Sequence, residues 1–157
     1  MIILKIIKVN REQIHSVYQL EIENYSSPYN QNSLLNELFI EDSLFYCNID
    51  LDNNVTGYII ARLVLGECEI HRITVSKDYR RQGIAQNLLN CIYKICIDQT
   101  VHAVFLEVNE NNRPAINFYK KNNFIQVGQR KKYYGDSDAL ILQKRISYVN
   151  DPIERIC

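Results

Sequence analysis

The chain has no net charge: 18 basic residues balance 18 acidic ones across 157 positions. Without an overall basic field, nucleic acid is a poor candidate partner, and attraction for a charged ligand must be local. No apolar run reaches the ~18 residues that cross a bilayer. Residues 1–9 are apolar, but Lys5 and Lys8 interrupt them and no small-residue cleavage site follows. They read as a strand and not as a signal peptide. The five cysteines, Cys47, Cys68, Cys91, Cys96 and Cys157, are odd in number and have no CxxC spacing. Four lie inside apolar segments, where a free thiol behaves as a small hydrophobe. This points to a reducing, cytoplasmic compartment. His15 and His102 lack ligand spacing, so no metal is expected. GxGxxG and a Gly-Lys-Ser/Thr loop are both missing, which disfavours a dinucleotide or a nucleoside triphosphate. What remains is a globular balance, 46% hydrophobic and 23% charged, on a length that suits one domain.

Apolar periodicity places strands at residues 2–9, 44–49, 56–65, 68–75, 103–108, 124–130 and 139–145. It places helices at 11–24, from 32 or 33 to 39, at 82–97 and at 112–122. The first helix carries Ile14, Val17, Tyr18 and Ile22 on one stripe, and the third carries Ile84, Leu88, Leu89, Ile92 and Ile95. Residues 25–32 are rich in Ser, Asn, Pro and Tyr and read as a loop. The order gives a mixed α/β fold with helices on both faces of the sheet. One domain is expected over residues 1–146, with a mobile tail at 147–157.

The segment from Ile73 through Thr74 and Val75 to Ala85 carries the chemistry. A strand ends near Val75, a polar turn follows, and Gly83 and Ala85 then open a long amphipathic helix. The first four N–H groups of a helix have no internal partners and sit at the positive end of its dipole. Small residues there let a phosphate reach the backbone, which suits a pyrophosphate. Arg80 and Arg81 add local positive charge. On spacing alone, a plain strand–turn–helix junction with a surface Arg pair fits as well.

Three further positions invite a role. Glu107 is the lone charge in an apolar strand, where burial is costly without a partner. It either faces solvent from one side of the sheet or acts as a general base whose pKa desolvation raises. Tyr119 is either an aromatic packing residue or a general acid with a phenol of ordinary pKa ~10. Asn112 fits a helix cap, with Pro114 in the first turn behind it. His71 reads as a wall residue.

The spacing Arg80-x-x-Gly83-x-Ala85 after an Ile-Thr-Val strand end resembles the coenzyme A signature of the GNAT acetyltransferases. Phe105-Leu106-Glu107-Val108, Asn112, Ala115-Ile116-Asn117-Phe118-Tyr119 and Asn123-Phe124 follow at the family's interval. Glu69-Ile70, and Tyr133-Tyr134 before Asp138-Ala139, are similar to the RimI-type branch, the ribosomal-protein-alanine N-acetyltransferases. The likeness covers residues 69–144.

It implies a mostly antiparallel sheet with a splayed strand gap for acetyl-CoA. It implies that the backbone at Ile73, Thr74 and Val75 pairs with the pantetheine arm. Arg80, Arg81, Gln82, Gly83, Ile84, Ala85 and Gln86 would surround the pyrophosphate, mainly through backbone groups, and Asn112 would touch the cofactor. By the same resemblance Glu107 deprotonates an incoming amine through water and Tyr119 protonates the departing thiolate. A backbone N–H near Val75 would hold the oxyanion, and no covalent enzyme intermediate forms. Glu69, Tyr133 and Tyr134 would line the acceptor groove. The branch's Pro-Trp-Ser is absent, and Tyr29 stands where its Trp would. The implied acceptor is the N-terminal alanine of a small-subunit ribosomal protein, with no nucleic acid or membrane involved. The alternatives are a lysine or small-amine acetyltransferase, or a regulatory domain that binds acetyl-CoA without catalysis.

Overall fold

The computed structural model describes residues 5–148. The start of the first expected strand and most of the expected tail lie outside them. Among the described residues seven strands form one sheet: β1 (Lys5–Lys8), β2 (Ser43–Ile49), β3 (Val55–Val64), β4 (Glu67–Val75), β5 (Ala103–Asn109), β6 (Ile125–Arg130) and β7 (Ala139–Arg145). The spatial order is β1-β2-β3-β4-β5-β7-β6. Every neighbouring pair is antiparallel except β4 and β5, which run parallel. A parallel pair needs a crossover, and α3 (Ile84–Asp98) supplies it.

α3 buries Ile84, Leu88, Leu89, Ile92, Tyr93 and Cys96 at helical spacing. With Ile116 and Tyr119 of α4 (Arg113–Lys121) they pack on one face of β3, β4, β5 and β7. Each fully buried Leu or Ile contributes about 1.5–3 kcal/mol of transfer free energy. On the opposite face α1 (Ile14–Asn24) and α2 (Gln31–Glu37) pack on Phe45, Cys47, Ile49, Tyr58 and Ile60.

Caps set several boundaries. Asn10 and Gln13 form a reciprocal capping box around a 3-10 turn, so α1 begins at Ile14 and not at 11. Asn30 accepts from the Ser33 N–H and starts α2 ahead of the expected position. α3 begins after Gly83 because Arg81 and Gly83 both have positive φ, 60° and 83°. In α1 the buried stripe is Ile14, Val17, Leu20 and Glu21, while Ile22 is 48% exposed. A carboxylate therefore sits where an apolar residue was expected.

A β-bulge decides what β4 presents. Ile60 pairs with Arg72 but Ala61 pairs with Ile70, so His71 is an extra residue. Alternation is inverted across it. Cys68 and Ile70 face α3, whereas Arg72 contacts Glu21, Tyr25 and Tyr29 on the α1 face.

Candidate active site

β4 and β5 pair only from Glu67 with Ala103 to Ile70 with Leu106. Beyond that point they part, and each continues with its other neighbour. Two cavities of about 300 and 270 Å³ meet in this gap, sharing Asn24, Tyr25, Ile73, Asn112, Ala115 and Tyr119.

The first cavity adds Glu107, Asn109, Arg72, His71 and Tyr134. The second adds Thr74, Val75, Arg80, Ala85 and Phe118. It extends from the strand gap toward the start of α3.

Ladder alternation fixes which backbone groups face the gap. Ser76 N–H donates to the Thr56 carbonyl at 2.9 Å. Bonded pairs on β3 and β4 then fall at Thr74 with Tyr58 and Arg72 with Ile60, two residues apart. This leaves the N–H and C=O of Ile73 and Val75 directed away from β3, toward the gap. Two side chains reach them there: the Tyr25 hydroxyl lies 3.4 Å from the Ile73 carbonyl and Arg80 Nε 3.3 Å from the Val75 carbonyl. Thr74 offers its hydroxyl instead, 2.7 Å from that of Tyr25.

At the start of α3 the Asn87 N–H closes the first turn on the Gly83 carbonyl at 3.0 Å. The N–H groups of Ile84, Ala85 and Gln86 precede that bond and have no partner within the helix. With exposed Arg81 beside them, they could receive an anion on a chain that is neutral overall. Arg80 has a second duty: its guanidinium donates to Asn24 Oδ1 at 2.6 Å and ties the loop to α1. Gln82 donates to the Asp78 carbonyl at 3.2 Å. The Gln86 side chain pairs with Asn122 at 2.7 Å and joins α3 to the end of α4, so only its backbone is available to a ligand.

Tyr119 is 5% exposed and lies edge-on to Phe118 and Phe124, each 5.3 Å away between ring centroids. Burial pushes its phenol well above the ordinary value of 10. It stays protonated at neutral pH, as a proton donor must. Asn112 caps α4, accepting from the Ala115 N–H at 3.2 Å, and also lines both cavities.

Glu107 faces away from the α3 side, opposite to its buried neighbours Leu106 and Val108. It is not desolvated alone, as the apolar strand suggests. Its side chain is 20% exposed and meets Arg130 Nε at 2.9 Å. It looks out from one side of the sheet and lines the first cavity.

The expected acceptor residues are spread around this opening. Tyr134 lines the cavity with Glu107; Tyr133 lies outside it, edge-on to Tyr134 at 5.1 Å. Glu69 is exposed, 3.5 Å from His71, and shares an adjoining groove with Glu107. Tyr29 is not in the cleft. It lines a separate cavity beside Glu37 and Arg62, next to His71. Sequence reasoning does not find Tyr25 or Arg72. Arg72 does not stand out in sequence, because β4 also carries Glu67, Glu69 and His71.

Among the described residues no group of His, Cys, Asp and Glu could hold a metal ion, and no helix is long and apolar enough to cross a membrane.

Residues 14–124 match the model of the acetyltransferase (GNAT) family. A Bacillus subtilis (strain 168) protein, provisionally named a ribosomal protein bS18-alanine N-acetyltransferase, is 32% identical over 133 residues, 83% of this chain and 88% of its own. The ribosomal protein bS18-alanine N-acetyltransferase of Escherichia coli (strain K12) is 32% identical over 108 residues, 65% of this chain and 73% of its own. The crystal structure of Ard1 from Thermoplasma volcanium superposes with a TM-score of 0.85 at 26% identity, covering 91% of this chain and 97% of that one.

Proposed function

The chain belongs to the acetyltransferase (GNAT) family, and on that premise we propose that it acetylates the α-amine of a protein N-terminus with acetyl-CoA. A ribosomal protein with an N-terminal alanine is the acceptor that its relatives' names suggest. The observation that carries the reading is the β4–β5 splay, with Glu107 and Tyr119 lining one cavity and a helix N-terminus close by.

In this reading the Ile73 and Val75 backbone groups pair with the pantetheine arm, as an added strand would. The N–H groups opening α3 hold the pyrophosphate, helped by Arg81. The neutral amine nitrogen attacks the thioester carbonyl carbon and forms the C–N bond. A backbone N–H near Val75 steadies the oxyanion. The C–S bond then breaks, Tyr119 gives its proton to the thiolate, and the proton leaving nitrogen passes to Glu107 through water. Glu107 already lines the cavity, and its pair with Arg130 must loosen as it takes the proton.

An α-amine has an ordinary pKa of about 7.7–8.0 against about 10.4 for lysine, so it needs less from the base. Tyr134 and Glu69 flank the opening through which the acceptor would enter. A reducing, cytoplasmic setting is part of this reading, and the described cysteines are all free.

Incubation with acetyl-CoA and peptides of varied first residue, read by mass spectrometry, tests this. The expected result is an acetyl group on the α-amine, with Ala-first peptides preferred. Acetylation of lysine side chains or polyamines alone would overturn it. Glu107→Gln should lower kcat/KM by about 10²-fold or more, with acetyl-CoA binding kept.

A further inference from the structure

A second polar constellation lies on the α1 side of the cleft, outside the proposed chemistry. Glu21 is fully buried. Its carboxylate accepts from the Tyr29 N–H at 2.7 Å and from the Tyr58 hydroxyl, and meets Arg72 Nε at 3.4 Å. The Arg72 guanidinium also donates to the Ser27 carbonyl at 3.1 Å. It stacks on Tyr25 and Tyr29, 3.8 and 4.3 Å from their ring centroids.

These contacts converge on the loop that joins α1 to α2. A buried carboxylate is stable only when paired and hydrogen-bonded, and here its partners belong to three separate parts of the chain. A planar guanidinium stacks on aromatic faces and pairs in a fixed fork, which an ammonium cannot copy. The loop is therefore fastened to β4 at the point where the strands part. Tyr25 is the residue fixed by this. It lines both the cavity with Glu107 and the one at α3, and its hydroxyl touches the Ile73 carbonyl and Thr74.

We infer that Arg72 is a positioning residue: with Glu21 it clamps the α1–α2 loop onto β4 and sets Tyr25 as the wall that aligns the acceptor. This rests on the acceptor reading above. Arg72 lines the cavity with Glu107 and Tyr134 and is absent from the lining of the one at α3. Loss of the clamp should therefore act on the acceptor far more than on the donor.

The test compares Arg72→Lys, which keeps the charge but not the planar stack, with the double variant Arg72→Met/Glu21→Gln, which leaves no unpaired buried charge. Both are assayed well below their melting temperatures. Each should raise the acceptor KM by about tenfold or more, with the acetyl-CoA KM within about threefold of the parent. Chymotrypsin, with sites identified by mass, should cut after Tyr25 or Tyr29 about tenfold faster than in the parent, with cutting after Phe39 and Tyr133 unchanged. Unchanged kinetics and cleavage, a parallel rise in both KM values, or lowered stability alone would overturn the proposal. The cleavage assay needs no acceptor. A parent enzyme inactive on every N-terminal peptide sinks the acceptor reading, while cleavage still judges the clamp.

Discussion

Tyr119 and Phe differ by one oxygen, and the packing of Tyr119 against Phe118 and Phe124 would survive the change. Tyr119→Phe should therefore cost kcat about 10²–10⁴-fold while leaving acetyl-CoA affinity, read by calorimetry, nearly unchanged. Because burial holds this phenol above 10, the parent should show no alkaline fall in kcat from Tyr119 below that pH. At this scale Glu107 was legible as one charge in an apolar strand, and Tyr119 through the family resemblance of the segment around it. Arg72 stayed hidden among the other polar residues of β4, Glu67, Glu69 and His71. In a regular strand it would share the face of Cys68 and Ile70, and only the His71 bulge turns it to Glu21. Bulges depend on pairing with a second strand, so a local pattern does not reveal them.

The contact between β3, β4 and α3 is the element on which the cleft's far end depends. Gly57 sits where a Cβ would lie 2.9 Å from the Thr74 carbonyl and 3.0 Å from Ile84 Cγ2. Neither backbone nor a buried helix start can yield cheaply. Gly57→Ala should lose about 1–3 kcal/mol by chemical denaturation. It should also weaken acetyl-CoA binding, since the displaced groups adjoin Val75 and the first turn of α3. Most elements were legible because β3, β5, α3 and α4 have strong apolar periods. Helix starts were not, because Asn10, Asn30 and the positive φ of Arg81 decide them. Glu21 escaped because its burial is earned by partners distant in sequence.

The molecule as a whole is one sheet carrying two apolar clusters on opposite faces. Beside the second, Glu37 joins α2 to the sheet through Arg62 at 2.6 Å and Ser43 at 2.6 Å. Burial raises the Glu37 pKa, but the bonds from Arg62 and Ser43 outweigh it and hold the carboxyl below its ordinary 4.5. A group lowered in the folded state stabilises above its unfolded value and loses that contribution as pH falls through the folded one. Unfolding titrations from pH 6 to 3 should show stability falling below pH 4.5, and Glu37→Gln should flatten that fall. Ligand binding acts on the same scale. At 100-fold excess over Kd, acetyl-CoA should add about 2.7 kcal/mol, seen as a rise of about 5–10 °C in Tm.

A sheet normally has two margins, and β1 and β6 form them here. Where β4 and β5 part after four paired residues, this one gains two more in its interior. Margins invite foreign strands, and proteins usually defend them with charge or cover. Here Tyr25 and Arg80 occupy the exposed carbonyls of Ile73 and Val75. The amides of these two residues should exchange with solvent like those of an outer strand, although they lie mid-sheet, and slow when the pantetheine arm fills the seam. In the free protein those two side chains cap the carbonyls that an incoming strand would use.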